Sequence, residues 1–215
     1  MYKAVIFDLD GVLVSTDELH YLAWKRLADE IGIFNFTKED NVRQRGISRL
    51  ASLEIVLEKG KTKYTDEEKA NLANKKNNYY KAMLEDLDER ALLVGALSSL
   101  VTLKSMGILC AVGSASKNAP VILQKTGLNK YIDQVSCGID TQKSKPDPDV
   151  FLIAARKLNT FSEDCIVVED AEAGILAAKA AGMKSIGIGA DYSNLSSDEK
   201  YIDLSYIDWE NTIYK

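Results

Sequence analysis

Two aspartates one residue apart, Asp8 and Asp10, follow the apolar run Val5-Ile6-Phe7 and stand directly before Gly11. Side chains alternate along a strand, so acids at these positions project the same way as the chain leaves it. One carboxylate can attack phosphorus and become an aspartyl-phosphate, while its neighbour gives and takes the proton of the oxygen that leaves or arrives. Two such anions also attract a magnesium ion. Asp and Gly are ordinary turn residues as well, so the pair becomes diagnostic only in company.

Three further segments provide that company. Ser114-Ala115-Ser116-Lys117-Asn118 follows a short apolar run and leads into a helical pattern. Backbone N–H groups and hydroxyls at such a junction hold phosphate, and helix capping by Ser116 or Asn118 is compatible with that role. In Lys145-Pro146-Asp147-Pro148, proline stiffens the loop around a lysine whose ammonium can neutralise charge on a transferring phosphoryl group. The run Ile166-Val167-Val168 ends in Glu169-Asp170, a second acidic pair able to complete an oxygen shell for Mg²⁺ begun by Asp8 and Asp10. His20 is the one histidine, which excludes His-rich metal sites. It stands four positions before Trp24, the i to i+4 spacing that places both on one face of a helix.

These groups need a scaffold. Apolar runs at 108–113, 134–137, 165–168 and 185–188 alternate with helical patterns at 95–105, 118–126, 149–158 and 172–181. Such alternation predicts an α/β fold with a doubly wound parallel sheet, whose strand carboxyl ends face the ligand. Residues 15–90 contain no convincing strand and read as a helical insertion. Ser15-x-x-Glu18 and Thr65-x-x-Glu68 match capping boxes, and Ser48 precedes a helix through Leu50, Leu53, Val56 and Leu57. The expected organisation is an α/β core of residues 1–14 and 91–215 with a helical cap of residues 15–90, a lid able to exclude water. Beyond residue 191 the periodicity is too weak to assign an element.

Composition narrows the partners. A net charge of -5 and a pI near 5.1 give no basic footprint for nucleic acid. No apolar run reaches the ~20 residues of a membrane span, and the N-terminal stretch lacks secretory-leader features. A cytoplasmic, monomeric protein acting on a small molecule is expected. Cys110, Cys137 and Cys165 lie in or beside apolar runs without C-x-x-C spacing, so buried free thiols are expected.

The four motifs, in this order, resemble those of the haloacid dehalogenase superfamily of phosphotransferases over essentially the whole chain. The resemblance implies Asp8 as nucleophile, Asp10 as general acid/base, Ser114 and Lys145 steadying the phosphoryl group, and Glu169 with Asp170 serving Mg²⁺, which Asp8 and Asp10 also ligate. Within that superfamily His20, Trp24, Arg45-Gly46-Ile47-Ser48-Arg49 and Lys75-Lys76-Asn77 resemble the cap of the mutases that interconvert β-glucose 1-phosphate and glucose 6-phosphate through a bisphosphate. That likeness implies that Arg49, Ser116, Lys117 and Asn118 hold the phosphate not undergoing transfer, beside Ala115 of the same loop. Gly46 and Ile47 would offer backbone contacts to the sugar, and His20 and Lys76 would link binding to cap closure. Val14, Ser15 and Ala171 depart from the pattern, where threonine, aspartate and serine are usual. A phosphatase with the same core, in which water attacks the aspartyl-phosphate, is the alternative enzyme; a non-catalytic sugar-phosphate sensor is the other reading.

Overall fold

In the computed structural model, which describes residues 1–141 and 143–214, the chain forms one parallel sheet with helices on both faces and a helical insertion after the first strand. The strands are β1 (Ala4–Phe7), β2 (Leu109–Gly113), β3 (Gln134–Ser136), β4 (Cys165–Glu169), β5 (Lys184–Gly187) and β6 (Glu199–Lys200). Their order across the sheet is β3-β2-β1-β4-β5-β6, and every pairing is parallel. The doubly wound architecture expected from the alternation is present. Phe7 lies opposite Val112 on one side and Val168 on the other. The loops after β1, β2 and β4 therefore leave the sheet side by side, at the point where the strand order reverses.

Strand β1 is fully buried, and its alternate residues feed two separate cores. Val5 and Phe7 pack with Leu100, Leu103, Ile122 and Trp209, whereas Ala4 and Ile6 pack with Phe151, Ala154, Ala177 and Ala178. Burying an aliphatic or aromatic side chain of this kind contributes about 1.5–3 kcal/mol. The sheet floor is therefore stiff beneath the loops it carries.

Between β1 and β2 come α1 (Asp17–Glu30), α2 (Lys38–Val42), α3 (Arg49–Leu57) and α4 (Asp66–Leu84), with α5 (Ala96–Ser105) following. Helices α1, α3 and α4 share their own apolar cluster of Trp24, Leu27, Leu53, Val56 and Ala73. Thr65 and Glu68 form the expected capping box, and the Ser48 hydroxyl accepts from the Ala51 N–H. The Ser15 box does not form. Helix α1 starts at Asp17 with Thr16 at its N-cap, and the Thr16 hydroxyl donates to Asp10 instead of capping the helix. The two crossings run together, Ser15 N–H donating to Ala91 C=O and Leu93 N–H to Leu13 C=O.

Helices α6 (Ala119–Lys125), α7 (Asp149–Lys157) and α8 (Glu172–Ala180) match the expected patterns within a few residues, and α9 (Trp209–Tyr214) closes the chain. The unassigned C-terminal region contains the short β6 and α9, the latter carrying Trp209 onto Phe7. All three cysteines are buried free thiols. Among the described residues, no helix is long and apolar enough to cross a membrane.

Candidate active site

Asp8 extends the sheet by one ladder bond, its N–H donating to Val168 C=O at 2.9 Å, so it stands at the carboxyl end of the central strands. The chain then turns sharply, Gly11 N–H donating to Val14 C=O. Gly11 has φ +88°, and a methyl group there would sit 2.1 Å from Asp170 Oδ2. Glycine thus serves both the turn and the close approach of the β4 acid to the β1 loop.

Lys145 is buried, and its Nζ lies 2.5 Å from Asp8 Oδ1 and 2.5 Å from Glu169 Oε1. Burial pushes the ammonium's pKa down, but the charges and hydrogen bonds of Asp8 and Glu169 outweigh this and raise it. Glu169 is wholly enclosed. Its Oε1 accepts from Lys145 and its Oε2 from the N–H groups of Asp170 and Ala171, so both oxygens are engaged. It packs on Gly174, where a methyl group would fall 1.9 Å from Oε1.

After β2, the Ser114 hydroxyl accepts from Ser116 N–H at 3.1 Å and the Ser116 hydroxyl from Asn118 N–H at 3.2 Å. Each hydroxyl accepts from the backbone and retains its own hydrogen for a further acceptor. Asn118 begins α6 without a side-chain cap; its Nδ2 donates instead to Asn77 Oδ1 of α4 at 2.9 Å.

The acids at this edge are crowded. Burial raises the pKa of Asp10 to about 7, with Asp8 and Asp17 adding to the rise and the Thr16 hydrogen bond opposing it. Asp170 is pushed well above the carboxylate range by burial, then by Glu169 and Asp8, while Arg45 opposes. Burial also raises Glu169, Lys145 opposing and Asp8 adding. Anions gathered out of water need neutralising charge, and an all-oxygen donor set suits Mg²⁺. Among the described residues, however, no three acids, thiols or imidazoles are gathered as a ready ligand cluster.

Above the three loops lies a cavity of about 410 Å³. Asp8, Asp10, Ser114, Ala115, Ser116, Lys117, Asn118 and Lys145 line it from the sheet side. His20, Trp24, Gly46, Ile47, Arg49 and Lys76 line it from the helical side. Of the residues expected at a site, only Glu169 and Asp170 are absent from its wall; they back the Asp8–Gly11 turn.

A model of the haloacid dehalogenase-like hydrolase family matches residues 5–188. The chain belongs to that family. Among its relatives, a β-phosphoglucomutase of Bacillus subtilis is 42% identical, covering 97% of this chain and 96% of its own length. A phosphorylated carbohydrates phosphatase of Thermotoga maritima is 30% identical over 86% of this chain and 83% of its own. The crystal structure of a β-phosphoglucomutase from Clostridium difficile superposes with a TM-score of 0.93 at 38% identity, covering 99% of this chain and 96% of that one.

The helical wall of the cavity comes from the insertion between β1 and β2. Gly46, with φ +73°, comes close enough that a methyl group there would lie 3.4 Å from Ala171 Cβ. The cap loop thus rests on the residue after the acidic pair. Buried Lys76 Nζ is hydrogen-bonded to His20 Nδ1 at 2.9 Å and sits over the rings of Trp24 and Tyr80. Burial and Arg49 lower its pKa to about 7, Asp10 opposing. Burial holds His20 well below its ordinary range, with Lys76 and Arg49 adding to the shift. Half-buried Arg49 opens α3 and, among the described residues, makes no ion pair.

Sequence reasoning overlooked Thr16, Asp17 and the lining role of Arg45. Asp17 pairs with Arg45 Nη2 at 2.5 Å. Thr16 carried no pattern of its own; its signal was the need of Asp10 for a donor. Asp17 and Arg45 are separated by 28 positions, so only the packing of α1 against the loop before α3 brings them together.

Proposed function

We propose that this chain interconverts β-D-glucose 1-phosphate and glucose 6-phosphate, with Asp8 carrying the phosphoryl group and glucose 1,6-bisphosphate as the intermediate. The supporting observation is that Arg49, without an ion-pair partner among the described residues, lines the same cavity as Asp8, Ser114 and Lys145, which would take the transferring phosphoryl group. A bisphosphate has an anion at each end, and a simple phosphatase needs only one such site. The identity to a β-phosphoglucomutase over nearly the whole chain supports the same reading.

Asp8 attacks phosphorus and Lys145 and the Ser114 hydroxyl hold the charge spread over the equatorial oxygens. Asp10 gives and takes the hydroxyl proton; a carboxyl with pKa near 7 is suited to both directions at neutral pH. Arg49, Ser116, Lys117 and Asn118 grip the second phosphate, Gly46 and Ile47 meet the ring, and the His20–Lys76 pair with Trp24 reports binding to the cap. Residues 15–90 act as the lid, moving on the paired crossings at 13–15 and 91–93. Asp8, Asp10 and Asp170 would hold Mg²⁺, and Glu169, whose oxygens are engaged by Lys145 and the Asp170 and Ala171 N–H groups, would serve it by fixing that loop. Mg²⁺ commonly keeps several waters. When bound, it would neutralise the acids and the transferring phosphoryl charge. The reading includes action as a cytoplasmic monomer on a free hexose phosphate.

Purified protein with Mg²⁺ and a trace of the bisphosphate should form glucose 6-phosphate from β-glucose 1-phosphate faster than it frees inorganic phosphate. Dominant phosphate release would make it a sugar-phosphate phosphatase.

A further inference from the structure

The cap helix α4 and the core helix α6 are joined by side-chain bonds at two places. At the head of α6, Asn118 Nδ2 donates to Asn77 Oδ1 at 2.9 Å. Eight residues further along the cap, Lys125 at the end of α6 donates to Glu85, to its C=O at 2.9 Å and to its Oε2 at 3.0 Å. The second tie is exposed and lies away from the cavity, whereas Asn77 and Asn118 both line it. Asn118 is buried and stands at the N-cap of α6, where asparagine ordinarily turns back to accept from its own helix. Here it caps nothing, and its amide is held by the cap domain instead.

An amide has a donor end and an acceptor end, and a phosphate oxygen can use only the donor. Free to rotate, the Asn118 amide could set its own oxygen against an anion. The bond to Asn77 removes that freedom, using one hydrogen of Nδ2 and leaving the other for a ligand. We propose that Asn77 is a positioning residue: it orients the Asn118 amide for the phosphate not undergoing transfer, so the core's hold on that phosphate is complete only with α4 in place. The assignment rests on the sugar-phosphate reading above. It makes the α6 end of the phosphate loop the point at which the core senses the cap, through a contact made with no ligand bound.

The test is a double-mutant cycle. Wild type, Asn77→Leu, Asn118→Leu and the double variant are compared on β-glucose 1-phosphate with Mg²⁺ and a trace of the bisphosphate, reading kcat and KM for total turnover. Asn77→Leu should lose about threefold to tenfold in kcat/KM, the worth of one neutral hydrogen bond, and mainly through KM. The double variant should be no worse than Asn118→Leu alone. Asn77→Ser, a smaller change whose fold is checked by circular dichroism, should show the same loss as Asn77→Leu. Glu85→Gln, which loosens the second tie between the same helices, should keep the wild-type kcat/KM. Losses that multiply in the double variant, no loss in either Asn77 variant, or an equal loss in Glu85→Gln would overturn the positioning role. Failure of the mutase reading appears separately, as phosphate rather than glucose 6-phosphate from wild type.

Discussion

Lys145→Met exchanges a buried cation for an apolar chain of similar length, and its effect can be worked from the geometry. The ammonium lies 2.5 Å from both Asp8 and Glu169, and the three side chains are 1%, 8% and 0% exposed. Removing one partner of a buried ion pair costs about 3–5 kcal/mol, because the remaining charge is left uncompensated. Here two carboxylates are left, and one of them must take up a proton. Glu169 is the candidate, its pKa already raised by burial to about 7. A folded pKa above the unfolded value gives stability that is present below the unfolded pKa and lost as pH rises through the folded one. Without Lys145, which opposes the rise, the folded pKa climbs further. Urea unfolding of both proteins with a chelator should therefore show a deficit of about 3–5 kcal/mol at pH 8 that narrows toward pH 5. A deficit under about 1 kcal/mol, the scale of an exposed pair, or one that does not change with pH, would refute the buried three-charge arrangement.

Thr16→Val removes the hydroxyl that holds Asp10 down against burial. At about 1.5–3 kcal/mol for a hydrogen bond to a charged group, the ionisation near 7 in the pH profile should move up by one to two units; an unmoved profile would separate Thr16 from Asp10 ionisation. Asp10→Asn should lower turnover by about a hundredfold to ten-thousandfold without loss of folding, read by kcat and circular dichroism. Arg49→Ala should cost mutase kcat/KM about tenfold to a hundredfold, while hydrolysis of a small phosphate ester changes little. Equal losses in the two assays would count against a second anion site. Gly11→Ala forces a methyl group into Asp170 and strains a positive φ; Mg²⁺ dependence of activity should shift to higher concentration, and an unchanged curve would dissociate Asp170 from the metal.

Much of the sheet and its site was legible because both rest on local signals. Buried strands announce themselves as short apolar runs, the acids and serines of the site sit directly where those runs stop, and Lys145 was marked by the prolines that follow it. The same locality explains the failures. Strand β6 has two residues, Glu199 and Lys200, with no apolar alternation, and it exists because β5 offers an edge. Helix α2 has five residues, too few for a period, although Thr37 and Asp40 form a capping box that could have been read. Ser15 looked like a cap, but α1 starts one residue later, with Thr16 at its N-cap and the Thr16 hydroxyl given to Asp10. The Asn77–Asn118 bond and the Asp17–Arg45 pair join distant segments and depend on how the helical insertion meets the sheet.

The most direct measurement is the fate of the phosphoryl group on Asp8. Protein phosphorylated by a small phosphoryl donor in Mg²⁺ is mixed with β-glucose 1-phosphate or with buffer alone. Acid quenching and mass spectrometry then locate and time the modification. The modification should lie on Asp8, and its loss to the sugar phosphate should outrun its loss to water and yield the bisphosphate. A modification on another residue, or equal rates with and without the sugar phosphate, would contradict transfer from Asp8 to a hexose.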